Sequence, residues 1–297
     1  MVTITRGAPS QAVLQGAQHV LFVEGTSDGL DVSVLGELLS PKLRVEPLGA
    51  SYSVRSVAMA LHPTYPYYWF VIDRDDWDDT TVEASWQTFP DPNENNLLIW
   101  RRKELESYFL DPVWLCTSRY ILSGTRSSDI EQWLENEADK MLWLEAANRV
   151  LVSRRNLIKR RDGSLFSFGD LQGLTRDQVA DRLVAWPLLA GLAAVVRVEL
   201  AAQAVRIAFD ADVATLSDGV IPLAFNRGRW IQLISAKSLF RSMINRWFLV
   251  PDQSKPGHAK LSGRDAERAV AVDLLKNQQG GMPRDFVDLK RTLDGLV

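Results

Sequence analysis

The chain has 297 residues, of which 46% are hydrophobic and 24% charged, and its formal net charge is −3. This length accommodates one large or two ordinary domains, and the composition is typical of a soluble globular protein. The small negative charge excludes an overall positive field for attracting nucleic acid, so any nucleic-acid-binding surface must be local.

The counts of cysteine and histidine bear on compartment and metal type. One cysteine excludes an internal disulfide and favours a reducing compartment, and one cysteine with three histidines argues against a zinc site. The N-terminus lacks a signal-peptide pattern, and the longest apolar run, Trp186–Val196, is too short to span a bilayer. We therefore expect a cytoplasmic protein with no membrane partner.

Strand and helix patterns alternate through the first third of the chain. In order they predict a strand at His19–Val23, a helix at Leu30–Leu39, a weaker strand at Val45–Gly49, a helix at Ser51–Leu61, and strands at Tyr67–Ile72 and Leu97–Trp100. The segment from Asp76 to Asn96 is rich in acids and turn formers, which predicts a loop. The alternation of strands and helices is the signature of a parallel sheet, so we expect an α/β fold.

Acidic residues follow two of these strands. Glu24 follows the first strand, and Asp73 and Asp75 follow the long apolar strand. In extended chain, side chains two positions apart leave the same face, and two adjacent carboxylates repel unless a cation or proton lies between them. Neighbouring parallel strands bring their carboxyl ends to one crevice. If these carboxylates bind a metal, ligation by carboxylates alone favours Mg²⁺ or Mn²⁺. The alternative is that the acids belong to a solvated turn after the strand.

The remainder of the chain is mainly helical and carries a local basic cluster. Its members are Arg154, Arg155, Lys159, Arg160 and Arg161. Such a cluster is either a solvated face or a surface that contacts phosphates of nucleic acid. We expect a leader at 1–17, the metal-binding α/β domain at 18–115, a helical domain with the basic surface at 116–250, a linker at 251–264, and a C-terminal helix and tail at 265–297.

The pattern Glu24-Gly25-x-x-Asp28, followed by a strand that ends in Asp73-x-Asp75, resembles the Toprim domain. This metal-binding fold is shared by topoisomerases, primases and the overcoming-lysogenization-defect (OLD) nucleases. The resemblance implies a Toprim-type parallel sheet flanked by helices, followed by a mainly helical domain.

Two further segments resemble the DUF4435 branch of OLD-like nucleases, which includes the nuclease effector of the PARIS phage-defence system. Residues 100–110 match its R-x-E-x-E-N-Y-L-L segment, with Ser107 in place of Asn. Ala236-Lys237 stands where the branch carries Gly-Lys in a late helix.

The resemblance also implies roles for individual residues. Glu24 acts at the metal or as a general base, and Lys237 stabilises charge that develops on the scissile phosphate. The implied metal ligands are Asp28, Asp73, Asp75 and Glu106, with Glu104 as the less favoured neighbour. From the residues alone, Asp28 is equally well explained as a helix cap, and Lys237 as an exposed helix lysine.

The function implied is Mg²⁺- or Mn²⁺-dependent cleavage of nucleic acid, either tRNA or DNA, by the toxic effector of a bacterial anti-phage system. The chain contains no G-x-x-x-x-G-K-[ST] motif, so the implied ABC/SMC-like ATPase would be a separate partner. A homodimer is left open. Two other classes remain as alternatives: a non-catalytic Toprim-like module that docks on such an ATPase, and another metal-dependent phosphoryl-transfer enzyme.

Overall fold

A computed structural model describes residues 19–61, 64–91, 95–157, 166–186, 189, 200–252, 260–277 and 281–297. The chain divides into two compact units, the first formed by residues 1–130 and 236–297 and the second by residues 131–235. This division differs from the expected boundary after residue 115. The segment after that point belongs with the first unit because Leu122 donates a backbone hydrogen bond to Trp247 at 2.9 Å, and Ile121 bridges to Phe248.

A four-stranded parallel sheet forms the centre of the first unit. Its strands are β1 Val20–Val23, β2 Arg44–Pro47, β3 Tyr68–Ile72 and β4 Leu97–Ile99, in the order β2-β1-β3-β4. The two central strands, β1 and β3, are buried along their whole length. The apolar composition of these strands therefore follows from packing on both faces of the sheet, and the predicted parallel α/β sheet flanked by helices is confirmed.

Helices make up most of the remaining structure. In chain order they are α1 Leu30–Leu38, α2 Ser51–Leu61, α3 Asp79–Thr88, α4 Pro112–Leu115, α5 Ser127–Leu157, α6 Phe168–Leu171, α7 Arg176–Val184, α8 Ala202–Ser217, α9 Trp230–Leu233, α10 Lys237–Trp247, α11 Gly263–Lys276 and α12 Arg284–Asp294. A 3₁₀ turn at Leu105–Phe109 follows β4. In the part of the chain that the structure describes, no helix is long and apolar enough to cross a lipid bilayer.

The prediction of a loop between residues 76 and 96 is wrong at Asp79–Thr88, where the helix α3 lies. Asp78 is the N-cap of this helix, and its carboxylate accepts hydrogen bonds from the Thr81 amide at 2.9 Å and the Thr81 hydroxyl at 2.8 Å. Val82 is buried, and the Trp86 indole donates to the Ile99 carbonyl at 2.8 Å. The acids that indicate a turn in the sequence therefore cap a helix instead.

The second unit is helical. Within it, α7 packs against α8, and Arg149 of α5 forms an ion pair with Asp212 of α8 at 2.7 Å. A buried apolar row on α8, formed by Val205, Phe209, Val213 and Leu216, recurs at the spacing of one helical face. Packing of this face stabilises α8 as an amphipathic helix.

The C-terminal helix α12 anchors the segment that follows β4. The ring of Phe286 packs against that of Tyr108, with centroids 4.9 Å apart. Asp285 is buried and accepts hydrogen bonds from the Tyr108 hydroxyl at 2.5 Å and from the Arg101 guanidinium at 2.8 Å. Because residues 101–110 carry two candidate site glutamates, the position of those glutamates depends on α12.

We expect Asp285→Ala to lower the free energy of unfolding by about 2–3 kcal/mol, because it removes the buried acceptor of Tyr108 and Arg101. Chemical denaturation measures the loss. Asp288→Ala is the matched control on the same helix, because the ion pairs that Asp288 forms within the described ranges are with the exposed arginines Arg284 and Arg291. That change should lower the free energy of unfolding by less than about 1 kcal/mol. Equal losses in the two variants would contradict the anchoring role.

Candidate functional site

The register of β1 and β3 brings Glu24 next to Asp73. Phe22 pairs with Phe70, so Glu24 is level with Ile72, the residue before Asp73. The backbone amide of Asp73 donates a hydrogen bond to Glu24 Oε1 at 2.9 Å. The structure therefore brings together the two acids that the sequence places at the ends of separate strands.

A pair of glycines turns the chain directly after Glu24. Gly25 and Gly49 have φ values of +90° and +86°, in the left-handed region that favours glycine. They exchange two backbone hydrogen bonds, from Gly25 N to Gly49 O at 2.8 Å and from Gly49 N to Gly25 O at 3.1 Å. This bridge ends β1 at the carboxyl edge of the sheet, so Glu24 is held at that edge.

Lys237 supplies a cation to this edge. It is the first residue of α10, and its Nζ lies 3.4 Å from Asp73 Oδ2 and 3.9 Å from Glu104 Oε1. Asp73 is 7% exposed, and its Oδ1 accepts a hydrogen bond from the Leu105 amide at 3.2 Å. The lysine that the resemblance assigns to the site is therefore in contact with its most buried carboxylate.

Glu104 has a different role from the one weighed in the sequence. Its Oε2 accepts hydrogen bonds from the backbone amides of Ala236 at 2.9 Å and of Lys237 at 3.0 Å. The first amides of a helix have no partner within the helix, and its N-terminus favours negative charge. Glu104 thus caps α10 and fixes the residue that carries the ammonium group.

Glu106 lies in the 3₁₀ turn and is 9% exposed. Its pKa is raised to about 7, first by burial and further by the charges of Asp31 and Glu104, while Lys237 lowers it. The backbone amide of Glu106 itself also lowers this pKa by a hydrogen bond to the carboxyl group. Glu106 is therefore a largely buried carboxyl group that interacts electrostatically with the other acids and with Lys237.

Asp75 occupies the rim of the site. The strand ends at Ile72, and Asp75 has a φ of +44°, so Asp73 and Asp75 do not lie in extended chain as expected from their spacing. The Asp75 amide donates to the Lys103 carbonyl at 3.2 Å. The residue is exposed, yet its pKa is raised by desolvation of the carboxyl and by Asp76, and its charge in turn raises the pKa of Glu24. A turn, not the pleat of a strand, brings this acid to the cluster.

The structure separates Asp28 from the cluster and adds Asp31 to it. Asp28 is exposed and accepts a hydrogen bond from the Thr26 hydroxyl at 2.5 Å. Asp31, in the first turn of α1, interacts electrostatically with Asp73 and Lys237. The sequence signal for Asp31 is its helical phase, because it precedes the buried Leu35 and Leu38 by four and seven positions.

Burial and mutual repulsion keep protons on these acids near neutral pH. Burial raises the pKa of Glu24 to about 7 and that of Asp31 to about 6. The pKa of Asp73 is raised well above its ordinary value, first by burial and then by Asp31. Burial lowers the pKa of Lys237, but the carboxylates of Asp73 and Glu104 outweigh this effect and raise it overall. Lys237 therefore remains charged, and the cluster has more carboxylates than this one ammonium can neutralise.

The donor chemistry of the cluster fits a hard divalent cation, because every donor is a carboxylate oxygen. Asp73 and Glu106 are the largely buried members of this donor set, and their pKa values are raised by burial and by neighbouring acids. As the side chains stand, however, no group of three or more His, Cys, Asp or Glu residues in the described ranges is arranged to hold a metal ion. The ammonium of Lys237 is the cation that contacts Asp73 in this arrangement.

The predicted basic cluster is only partly covered by the structure. Arg154 and Arg155 lie in the last turn of α5, in the second unit, and both are partly exposed. Lys159, Arg160 and Arg161 lie outside the described residues. The nucleic-acid-binding role of this cluster stays a prediction.

We expect metal-free protein to lose stability as the pH rises from about 5 to about 8. Glu24 and Glu106 have folded-state pKa values of about 7 against an ordinary 4.5, so the folded state binds more protons over this interval. Deprotonation then lowers the free energy of unfolding by up to about 3 kcal/mol for each group. Urea denaturation in EDTA at several pH values measures the decline.

The control for this pH dependence is the variant carrying Glu24→Gln and Glu106→Gln, which removes both titrating groups. Its stability should fall less with pH than that of the wild type over the same interval. Parallel curves for the two proteins would show that these carboxyls do not have raised pKa values.

We expect Glu104→Ala to destabilise the protein by about 2 kcal/mol, because the buried amide of Ala236 and the partly buried amide of Lys237 lose their acceptor. Glu104→Gln keeps an acceptor oxygen of similar reach and should recover more than half of that loss. Chemical denaturation of both variants gives the comparison. A glutamine variant as unstable as the alanine variant would show that charge, and not capping, is what Glu104 contributes.

Comparison of the chain with protein-family models, with curated proteins and with solved structures finds no match. The motif resemblance to Toprim nucleases is therefore not extended by any of the three comparisons. A fold alone does not determine an activity, so the function must be argued from the site itself.

Proposed function

We propose that the chain is a metal-dependent nuclease of Toprim type that hydrolyses phosphodiester bonds of nucleic acid. The observation that carries this proposal is the juxtaposition of Glu24, Asp73 and Lys237 at the carboxyl edge of a parallel sheet. Buried acids with raised pKa values beside a lysine are typical of catalytic sites and uncommon on structural surfaces. The carboxyl ends of the strands are also where open α/β sheets bind their ligands.

The residues that would hold a Mg²⁺ or Mn²⁺ ion are Asp73, Asp75 and Glu106, whose carboxylate oxygens suit a hard cation. When bound, such an ion neutralises phosphoryl oxygens and lowers the pKa of a bound water. One Asp73 oxygen lies 3.4 Å from the Lys237 ammonium, so Asp73 would serve both as a ligand of such an ion and as the partner of this lysine.

The chain's own groups account for proton transfer and charge stabilisation. Glu24, with a pKa of about 7, is suited to accept a proton from an attacking water near neutral pH. Lys237 remains protonated and is suited to stabilise the negative charge that develops on the phosphate. Glu104 does not touch the substrate in this scheme, and acts by positioning Lys237 through the cap of α10.

The biological setting forms part of the proposal and is supported by the motif resemblance alone. The substrate would be tRNA or DNA, and the chain would act as the toxic effector of a bacterial anti-phage system. Its partner would be a separate ABC/SMC-like ATPase, which would release or activate the effector. The basic residues in the last turn of α5 and directly after it would contribute contacts to phosphates, namely Arg154, Arg155, Lys159, Arg160 and Arg161.

A second candidate function is a non-catalytic module that docks on such an ATPase. It is favoured by the finding that no described acids are arranged to hold an ion, with Lys237 contacting Asp73 instead. In that case the acids and the lysine would be a structural network. Another phosphoryl-transfer reaction is the third alternative, and it would use the same residues on a different substrate.

We expect purified protein to cleave either plasmid DNA or total tRNA when Mg²⁺ or Mn²⁺ is present, and not in EDTA. Glu24→Gln, Asp73→Asn and Lys237→Met should each lower the cleavage rate by roughly 10²-fold or more, because each removes a group placed at the reaction. Gel assays of both substrates, without and with the cognate ATPase and a phage trigger, measure the effect.

The matched control for these assays is Asp129→Asn, which alters an exposed carboxylate that pairs with Arg126 at the surface. Its cleavage rate should equal that of the wild type. Cleavage that persists in EDTA or in Glu24→Gln would indicate a contaminating nuclease. No cleavage under any of these conditions, with the fold intact, would overturn the nuclease proposal and favour the docking module.

A further inference from the structure

A groove lies between α2 and α3 on one face of the sheet. The buried residues of both helices belong to one apolar cluster with residues of the sheet, so the two helices cover the same face. The groove has a volume of about 360 Å³. Small-molecule sites in proteins typically occupy about 300–1,000 Å³. The groove lies within the first unit, and none of the described residues that line it is an acid of the candidate site.

A cation and an aromatic ring form one end of the groove. The guanidinium of Arg55 lies over the indole ring of Trp77, 4.6 Å from the ring centroid. Arg55 is exposed, and within the described ranges it forms no ion pair with a carboxylate. A guanidinium stacked on an aromatic ring keeps its N–H groups at the edge of the stack, where they can bind an anion. This end of the groove is therefore suited to a negatively charged group.

An unsatisfied acceptor lies at the other end of the groove. Asn96 lines the groove directly before β4, whereas Trp77 follows β3, so the two residues lie toward opposite edges of this parallel sheet. Asn96 is 1% exposed, and its Nδ2 donates to the carbonyls of Pro66 at 2.9 Å and Tyr68 at 3.2 Å, which fixes the orientation of the amide. The Asn96 Oδ1 is buried and has no hydrogen-bond partner in the described part of the chain. A buried acceptor without a partner is costly, and a donor on a bound ligand would remove that cost.

The two ends of the groove also differ in charge. Asp91 lines the groove beside Asn96, whose backbone amide donates to the Asp91 carbonyl at 3.3 Å. A carboxylate at this end favours N–H donors and repels anions, whereas the Arg55 end favours an anion. The walls include Met59 and Phe89, which suit a flat aromatic body. The ligand that fits these contacts has an N–H donor at one end, an aromatic body, and an anionic group at the other end.

We propose that this groove binds a nucleotide, with an amino group of the base donating to Asn96 Oδ1 and the phosphate contacting Arg55. The base supplies the N–H donor and the aromatic body, and the phosphate supplies the anion. A free mononucleotide and an unpaired nucleotide of a nucleic-acid strand share this chemistry. The inference goes beyond the proposed nuclease, because the lining residues of the groove are distinct from the groups assigned to cleavage.

The test is calorimetry of the full-length protein in EDTA with AMP, CMP and GMP, whose bases carry an amino group. The tightest of the three should bind with a dissociation constant of roughly 1 mM or lower. It is then compared with its analogue that has hydrogen in place of the base amino group. The analogue should bind about three- to tenfold more weakly, as expected for the loss of one hydrogen bond.

Variants at exposed positions locate the binding. Arg55→Gln should weaken binding of the nucleotide by at least about tenfold and leave binding of its nucleoside, which has no phosphate, unchanged. Ala84→Phe places a ring in the groove from α3 and should weaken binding of both ligands. Ala60→Phe is the matched control, because it makes the same change on α2 outside the groove, and it should bind both ligands as the wild type does.

Thermal melts without ligand separate loss of binding from loss of the fold. All three variants should melt close to the wild-type temperature, because the replaced side chains are exposed. The nucleotide should raise the melting temperature of the wild type and of Ala60→Phe, and not that of Ala84→Phe.

Three results would overturn the inference. They are no binding of any of the three nucleotides, equal binding by Ala84→Phe and the wild type, and equal binding of the nucleotide and its analogue without the amino group. A single-stranded oligonucleotide that displaces the bound nucleotide would assign the groove to a nucleic-acid strand. A failure to displace it would assign the groove to a free nucleotide.

These outcomes are independent of the proposed function. Nucleotide binding by a protein that cleaves no substrate would support the groove and remove the nuclease. Metal-dependent cleavage without nucleotide binding would leave the nuclease standing and remove the groove as a ligand site.

Discussion

The contact between Asp73 and Lys237 joins the end of a central strand to the start of a helix 164 positions later in the chain. A carboxylate buried at the end of β3 needs donors, and it obtains them from the Leu105 amide and the Lys237 ammonium. These donors place the 3₁₀ turn and α10 against the carboxyl edge of the sheet. The other acids of the site are grouped around this one contact.

The sequence is sufficient to predict the elements whose signals are local. The strand ending at Ile72, the acids Glu24 and Asp73, and the parallel order of the sheet all follow from apolar runs that stop at polar residues. Lys237 enters only through the motif resemblance, because nothing local distinguishes it from an exposed helix lysine. The proximity of these residues in the folded protein depends on tertiary packing.

Two features escape prediction for identifiable physical reasons. In the sequence, Glu104 lies in a cluster of charged residues that is typical of a solvated surface. Its role as a helix cap depends on the backbone amides of residues 236–237, which are distant from it in the sequence. Asp31 lies outside the motif, and the signal for its electrostatic interaction with Asp73 is the phase of α1, which it shares with the buried Leu35 and Leu38. Helical phase can be read from the sequence. An acid on the same helix face as buried leucines is therefore as good a candidate site residue as an acid at a motif position.

The order of the site along the chain has a consequence for synthesis of the protein. Residues 131–235 form their own unit, and they separate Glu104 from the helix that it caps. A chain growing on the ribosome therefore exposes the strand acids long before Lys237 and the anchoring helix α12 emerge. Until Lys237 emerges, the growing chain lacks the ammonium that contacts Asp73, because this lysine lies in the last quarter of the sequence.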